Sequence, residues 1–261
     1  MASATEHGLM IDERRRRISE LVREEGRVTV EELAARFGTS HVTIRADLSR
    51  LESAGILTRT HGGALNPPET DQPLDVKQLQ HHAEKLRIGA AAAALIQDGE
   101  TIILDSGTTT AEIARNIRAL NLKSINVITN ALNIAALLID VPSVRLIMPG
   151  GILRRESNSL SGPIAEAALN TLQADRLYLG ADGVDPQLGV MTPHLAEAEL
   201  NAKMIAMSRQ VVVVADSSKF ARRNISLIAR VEQLHVLITD RGAPVDAVEQ
   251  LRQRGVEVRL V

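Results

Sequence analysis

The sequence predicts an α/β protein in two parts: a small helical unit carrying a β wing, then a larger domain with a mostly parallel sheet and helices on both faces. Three observations carry that expectation. Near the N-terminus, apolar residues recur at helical spacing in three short segments separated by glycines, and an alternating stretch ending in glycines follows. A polar, proline-rich stretch then interrupts the pattern. Beyond it, short apolar runs alternate with helical patterns, as strands covered on both faces do.

The first helix is expected over 11–25, with Ile11, Ile18, Leu21 and Val22 inward and Gly26 as its stop. The second spans 30–37, burying Val30, Leu33, Ala34 and Phe37 before Gly38 ends it. Ser40 is a good N-cap for the third, which buries Ile44, Leu48 and Leu51 and closes at Gly55. Residues 56–64 alternate and run into Gly62 and Gly63, as the hairpin of a wing would. A winged helix-turn-helix therefore occupies 1–64. Pro67, Pro68 and Pro73 make 65–80 an extended connector. In the remaining domain, 81–261, strands are expected at 101–104, 125–128, 144–148, 176–179, 211–215, 234–238 and 256–260. The alanine run 90–94 is ordinary helix, and His81 and His82 open a helix with no further ligands nearby, so no metal is assigned.

Composition narrows the function classes. The 261 residues are 44% hydrophobic and 24% charged, as in a globular protein, and no apolar run reaches the ~18 residues of a membrane span. Residues 1–10 lack the basic and apolar regions of a secretion signal, which points to the cytoplasm. The absence of cysteine excludes disulfides, thiolate zinc sites and a cysteine nucleophile. Net charge is -2, and 1–64 carries ten Arg against ten Asp plus Glu, so attraction to nucleic acid must come from local placement. Phe37, Tyr178 and Phe220 are the only aromatics, too few to stack single-stranded bases; duplex binding stays open.

With Ile44, Leu48 and Leu51 inward, helical geometry turns Ser40, His41, Thr43 and Arg45 toward a DNA groove. Arg50, Arg59 and the run Arg14, Arg15, Arg16, Arg17 suit phosphates and register. Asp47 would repel phosphate and is read as a structural partner of a nearby arginine. Two operator half-sites require a homo-oligomer, dimer or tetramer.

In the larger domain, Asp105, Ser106, Gly107, Thr108 and Thr109 form a loop between a strand and a helix expected from Thr110. Free N–H groups at such a helix start offer an anion, phosphate foremost, a place to bind; the same loop also reads as a cap and tight turn. It is not a P-loop, since no Gly-Lys-Ser/Thr follows. Ligands of open parallel sheets sit outside the carboxyl ends of strands, so Asn130, Gly150, Gly151, Asp182 and Lys219 should converge there. Lys219 would pair with phosphate and Asp182 would accept sugar hydroxyls. Glu197 and Lys203, on one helical run, read as a solvated ion pair.

The run from Ser40 through Thr43, Ile44, Arg45, Ala46, Asp47 and Leu48 resembles the signature of the DeoR family of bacterial transcriptional regulators, and 59–63 resembles its wing. The resemblance continues in 105–110, 129–131, 149–151, 180–185 and 216–220. It implies a repressor of a carbohydrate-use operon, controlled by a phosphorylated sugar and needing no cofactor. Residues 153–159 and the run Ser217, Ser218, Lys219, Phe220 look most like regulators of N-acetylgalactosamine and related amino-sugar use. The family's second domain is similar in fold to ribose-phosphate isomerases and coenzyme A transferases, a Rossmann-like arrangement. The alternative is thus an isomerase-like enzyme with a DNA-binding appendage. Residues 180–185 resemble the isomerase segment, but the lysine and glycine run that follows it there is missing, and no nucleophile and base are paired by spacing. No catalytic residue is assigned.

Overall fold

A computed structural model of the chain describes residues 11–25, 27–53, 56–60, 62–65 and 74–261. Gly26, Gly55, the first ten residues and 66–73 of the expected connector lie outside the described residues. The chain divides into two compact units, Met1–Gln72 and Pro73–Val261.

The first unit contains α1 (Ile11–Glu25), β1 (Arg27–Thr29), α2 (Val30–Phe37), α3 (His41–Ser53), β2 (Thr58–Thr60) and β3 (Gly63–Leu65). Thr29 starts α2 with a capping box: its hydroxyl accepts from the Glu32 N–H, and the Glu32 carboxylate accepts from the Thr29 N–H at 2.8 Å. Gly38 ends α2 in the left-handed conformation, φ 60°. The inward positions of all three helices meet in one core with Val28, Leu57 and Ala64. Ile11 does not join them: it is exposed at the start of α1, ahead of the core contacts that begin at Ile18. The wing is a three-stranded antiparallel sheet in the order β1-β3-β2, so β3 is paired on both sides. A three-residue strand such as β1 leaves too little alternation to be read from sequence.

The second unit opens with α4 (Leu74–Leu79) and α5 (His82–Ala93). Helix α4 corrects the extended connector expected over 65–80. Its residues follow the last proline of that stretch and carry no helix breaker. The elements after α5 are β4 (Thr101–Leu104), α6 (Thr108–Ile117), β5 (Ile125–Thr129), α7 (Leu132–Leu138), β6 (Val144–Ile147), β7 (Ile152–Arg154), β8 (Ser159–Ser161) and α8 (Pro163–Leu169). They continue with β9 (Ala174–Gly180), β10 (Gly183–Asp185), β11 (Gly189–Thr192), α9 (Leu195–Ala206), β12 (Ser208–Val214), β13 (Ser226–Ala229), β14 (Val236–Thr239), α10 (Val245–Gln253) and β15 (Glu257–Leu260).

The seven apolar runs form one seven-stranded sheet, ordered β15-β14-β12-β9-β4-β5-β6, with every neighbouring pair parallel. Alternate residues along a strand face opposite cores. Ile102, Leu104, Tyr178, Val212 and Val214 pack with Ile88, Ile113 and Ile134 of α5, α6 and α7. Ile103, Leu177, Leu179, Val211 and Val213 pack with Leu169, Leu200, Met204 and Leu251 of α8, α9 and α10. Burial on both faces explains why these strands read as continuous apolar runs. The hairpin β7-β8 and the antiparallel sheet β10-β11-β13 were not anticipated; both consist of short strands beside the main sheet.

The chain runs from β4 outward to β5 and β6, then returns to lay β9 on the other side of β4. The order therefore reverses between β4 and β9, and the carboxyl ends of these strands are where an open parallel sheet forms its ligand crevice.

Candidate functional site

On the first unit, α3 presents Ser40, His41, Arg45 and Arg50 to solvent, with Thr43 half-buried. Ser40 caps α3: its hydroxyl accepts from the Thr43 N–H at 3.2 Å and lies 2.9 Å from the Thr43 hydroxyl. These two side chains are already engaged with each other, which leaves Arg45 as the long donor reaching outward from the first turns. Asp47 is buried, with 2% exposure, and binds two arginines of α1: Arg14 Nε donates to Oδ2 at 2.7 Å and Arg15 Nε to Oδ1 at 2.8 Å. The structural role expected for Asp47 holds, and it draws Arg14 and Arg15 away from the phosphate-holding role expected of them. Arg16 and Arg17 stay exposed beside Glu13 and Glu20. Arg59 of the wing donates from Nη1 to Ser49 Oγ at 2.6 Å, while its N–H bonds to Glu52, so it ties the wing to α3.

On the second unit, the loop after β4 starts with Asp105, whose N–H donates to the Tyr178 carbonyl and whose Oδ2 accepts from the Gly180 N–H at 3.3 Å. The two strand ends at the switch point are thereby stitched together. Gly107, at φ 144°, turns the chain into α6, a conformation that side-chain-bearing residues rarely adopt. Helix α6 begins at Thr108, earlier than expected, so Thr108 and Thr109 lie in its first turn, where N–H groups lack helical acceptors. Ser106, Thr108 and Thr109 are buried.

Asp105 gathers further carboxylates. Its Oδ2 also accepts from Asn201 Nδ2 at 3.3 Å, and its Oδ1 is buried without a partner. Burial first, and then the Glu197 charge, push the Asp105 carboxyl well above the ordinary carboxylate range. Burial and then Asp182 likewise raise Glu197, against Arg154, whose Nη1 donates to Glu197 at 2.9 Å. Glu197 is thus half-buried at the site, and Lys203 bonds Asn170 instead, which corrects the solvated pair expected between them. Helical spacing turns Glu197 and Asn201 to the same face of α9; periodicity alone does not say that this face meets β4.

Cations stand opposite these carboxylates. Asp182 is also opposed by burial, yet Lys77 and Lys219 bring its carboxyl below the ordinary range. Lys219 is half-buried in the turn after β12; its backbone bonds Asp216 and Arg222, but among the described residues its ammonium has no hydrogen bond or ion pair. Burial lowers its pKa, with Asp182 and Asp216 working the other way. Asp216 Oδ2 and Asn130 Oδ1 are buried without partners. Asn130 donates to the Leu160 carbonyl of the β7-β8 hairpin. A Cβ on Gly151, at φ 119°, would lie 2.6 Å from the Ser161 carbonyl oxygen and 3.1 Å from Ala165, so the hairpin and α8 pack closely on the Gly150 and Gly151 pair.

Lys85 was missed altogether. It is 3% exposed, and its ammonium donates to the Gln80 carbonyl at 2.7 Å and to the Lys77 carbonyl. Burial pushes its pKa down to about 8, against attraction from Asp216. The folded value lies below the ordinary 10.5, so between the two the unfolded chain binds the extra proton and stability rises with pH. Below about 8 the burial penalty is present in full. Lys85→Met is expected to flatten the rise by roughly 1–3 kcal/mol, checked by thermal unfolding from about pH 7 to about pH 10.

Residues 14–70 match the DeoR-like helix-turn-helix domain, and residues 80–241 match the DeoR C terminal sensor domain. A helix-turn-helix followed by a sensor domain defines a DNA-binding transcriptional regulator. The chain belongs to the DeoR family. It is 43% identical to an aga operon transcriptional repressor of Escherichia coli O157:H7, over 95% of this chain and 93% of that one. It is 32% identical to the glycerol-3-phosphate regulon repressor of Escherichia coli K12, over 93% of this chain and 96% of that one. Ribose 5-phosphate isomerase A of Methanocaldococcus jannaschii aligns at 20% identity and a TM-score of 0.40, covering 54% of this chain and 55% of that one. The relatives that match end to end are named as regulators, and the reading as an enzyme with a DNA-binding appendage is not favoured.

Proposed function

We propose that the protein is a cytoplasmic repressor of a carbohydrate-use operon, binding duplex operator DNA as a homo-oligomer and controlled by a phosphorylated sugar in its second unit. One observation carries the ligand reading: at the strand ends beside the β4/β9 switch point, the Lys219 ammonium has no partner among the described residues, and Asp105 Oδ1 and Asp216 Oδ2 are buried without one. Lys219 and the first-turn N–H groups of α6 suit a phosphate. Asp182, Glu197 and the unpartnered Asp105 Oδ1 suit hydroxyls. Asn130 lies at the neighbouring strand end. Gly150 and Gly151 contribute by letting the β7-β8 hairpin approach. The resemblance of 153–159 to amino-sugar regulators makes amino-sugar phosphates the first compounds to test.

In the DNA reading, Arg45 and His41 address base edges while Arg50, Arg16 and Arg17 meet phosphates. Ser40 and Thr43 hold the helix start, and Arg59 fixes the wing. Arg45→Ala is expected to weaken specific binding about 5- to 150-fold, the loss of ~1–3 kcal/mol for one bidentate base contact, with no change in melting temperature. Fluorescence anisotropy on a duplex selected by the wild-type protein from a randomised pool reads this out. Wild-type specificity in the variant would remove Arg45 from the reading set.

A further inference from the structure

Helix α4 is the first element of the second unit after the connector from the DNA-binding unit. It is held in an unusual way. None of its residues is buried, and Leu79 is 80% exposed, so apolar packing does little to fix it. Two lysines do more. Lys77 of α4 reaches into the strand-end site, where its ammonium donates to Asp182 Oδ1 at 3.4 Å. Lys85, buried beneath, donates to the carbonyls of Lys77 and Gln80 at the carboxyl end of α4. The other Asp182 oxygen accepts from the Thr192 hydroxyl at 3.3 Å. A ligand hydroxyl that takes Asp182 therefore meets a carboxylate already holding α4.

We propose that α4 is the output element of the sensor, latched on the strand-end site by the Lys77–Asp182 pair and released when a sugar hydroxyl takes Asp182. This rests on the reading of that site as the sensor. The pair lies partly in solvent, with side chains 27% and 20% exposed, so it is weak enough for a ligand to displace. Lys85 belongs to the frame: its carbonyl partners are in the backbone and do not compete with a ligand. Release frees the first element of the second unit, and operator affinity reads whether that matters for DNA binding.

The test uses the full-length protein with no sugar phosphate present, comparing wild type, Lys77→Met and Lys77→Arg. Hydrogen exchange of residues 74–80 reads the latch, and anisotropy on the selected duplex reads its output. Lys77→Met is expected to speed exchange there and to change operator Kd by about fivefold or more, the lower end of ordinary allosteric coupling. Lys77→Arg, which keeps the ion pair, is expected to retain wild-type values in both. Exchange in Lys77→Met equal to wild type would overturn the latch; faster exchange with an unchanged Kd would overturn its role as output. A separate thermal-shift series on wild type with glucose 6-phosphate, galactosamine 6-phosphate and ribose 5-phosphate tests the sensor reading, so the two failures are told apart.

Discussion

Asp47→Ala is expected to lower the melting transition of the first unit by about 10–20 °C and to abolish operator binding over the same range. The carboxylate is buried on α3 and accepts from Arg14 and Arg15 of α1, so it is the polar clamp that sets one helix against the other. Removing it leaves two guanidinium groups facing a small cavity. Loss of one partner from a fully buried pair costs about 3–5 kcal/mol. Here the arginine side chains are 13% and 29% exposed and can turn to water, which brings the figure to roughly 2–3 kcal/mol. A unit of this size has little stability to spare. Asp47→Asn, which keeps one acceptor, should fall between the two. Circular dichroism melts beside anisotropy check this; an Asp47→Ala protein that melts and binds like wild type would show the clamp to be dispensable.

Lys219→Met is expected to cut the affinity for a sugar phosphate about 10- to 150-fold, the ~1.5–3 kcal/mol of a charge-assisted hydrogen bond. The ligand-free protein should melt no lower than wild type. A lysine side chain held for structure would have partners to lose, whereas the Lys219 ammonium has no hydrogen bond or ion pair among the described residues and is disfavoured as a charge by its own burial. Thermal shift with and without ligand separates these cases. A variant that melts lower but keeps its ligand response would make Lys219 a structural residue.

The parts of this fold that sequence made legible are those where one period dominates. The apolar stripes of α2 and α3 and the seven buried runs needed no tertiary knowledge, because a helix face or a doubly covered strand writes its burial directly into residue order. Short pieces were hidden: β1 exists only because β3 offers it an edge, and α4 because two lysines hold a helix that buries nothing. The strand-end site was half legible. Asp105, Asp182 and Lys219 follow apolar runs and were placed by the rule that ligands gather at strand ends. Glu197, Asn201, Lys77 and Lys85 sit on helices whose facing strand depends on the order β9-β4-β5, which residue spacing does not encode.

The most direct measurement is anisotropy of the selected operator duplex with wild type and Lys219→Met, titrated with amino-sugar phosphates, other hexose phosphates and the matching unphosphorylated sugars. A sensor of phosphorylated sugars predicts that at least one phosphorylated compound shifts wild-type operator Kd by about fivefold or more. Its unphosphorylated form should not, and Lys219→Met should need far more of it. Operator binding that ignores every phosphorylated sugar, or that responds equally to a sugar without its phosphate, would contradict it.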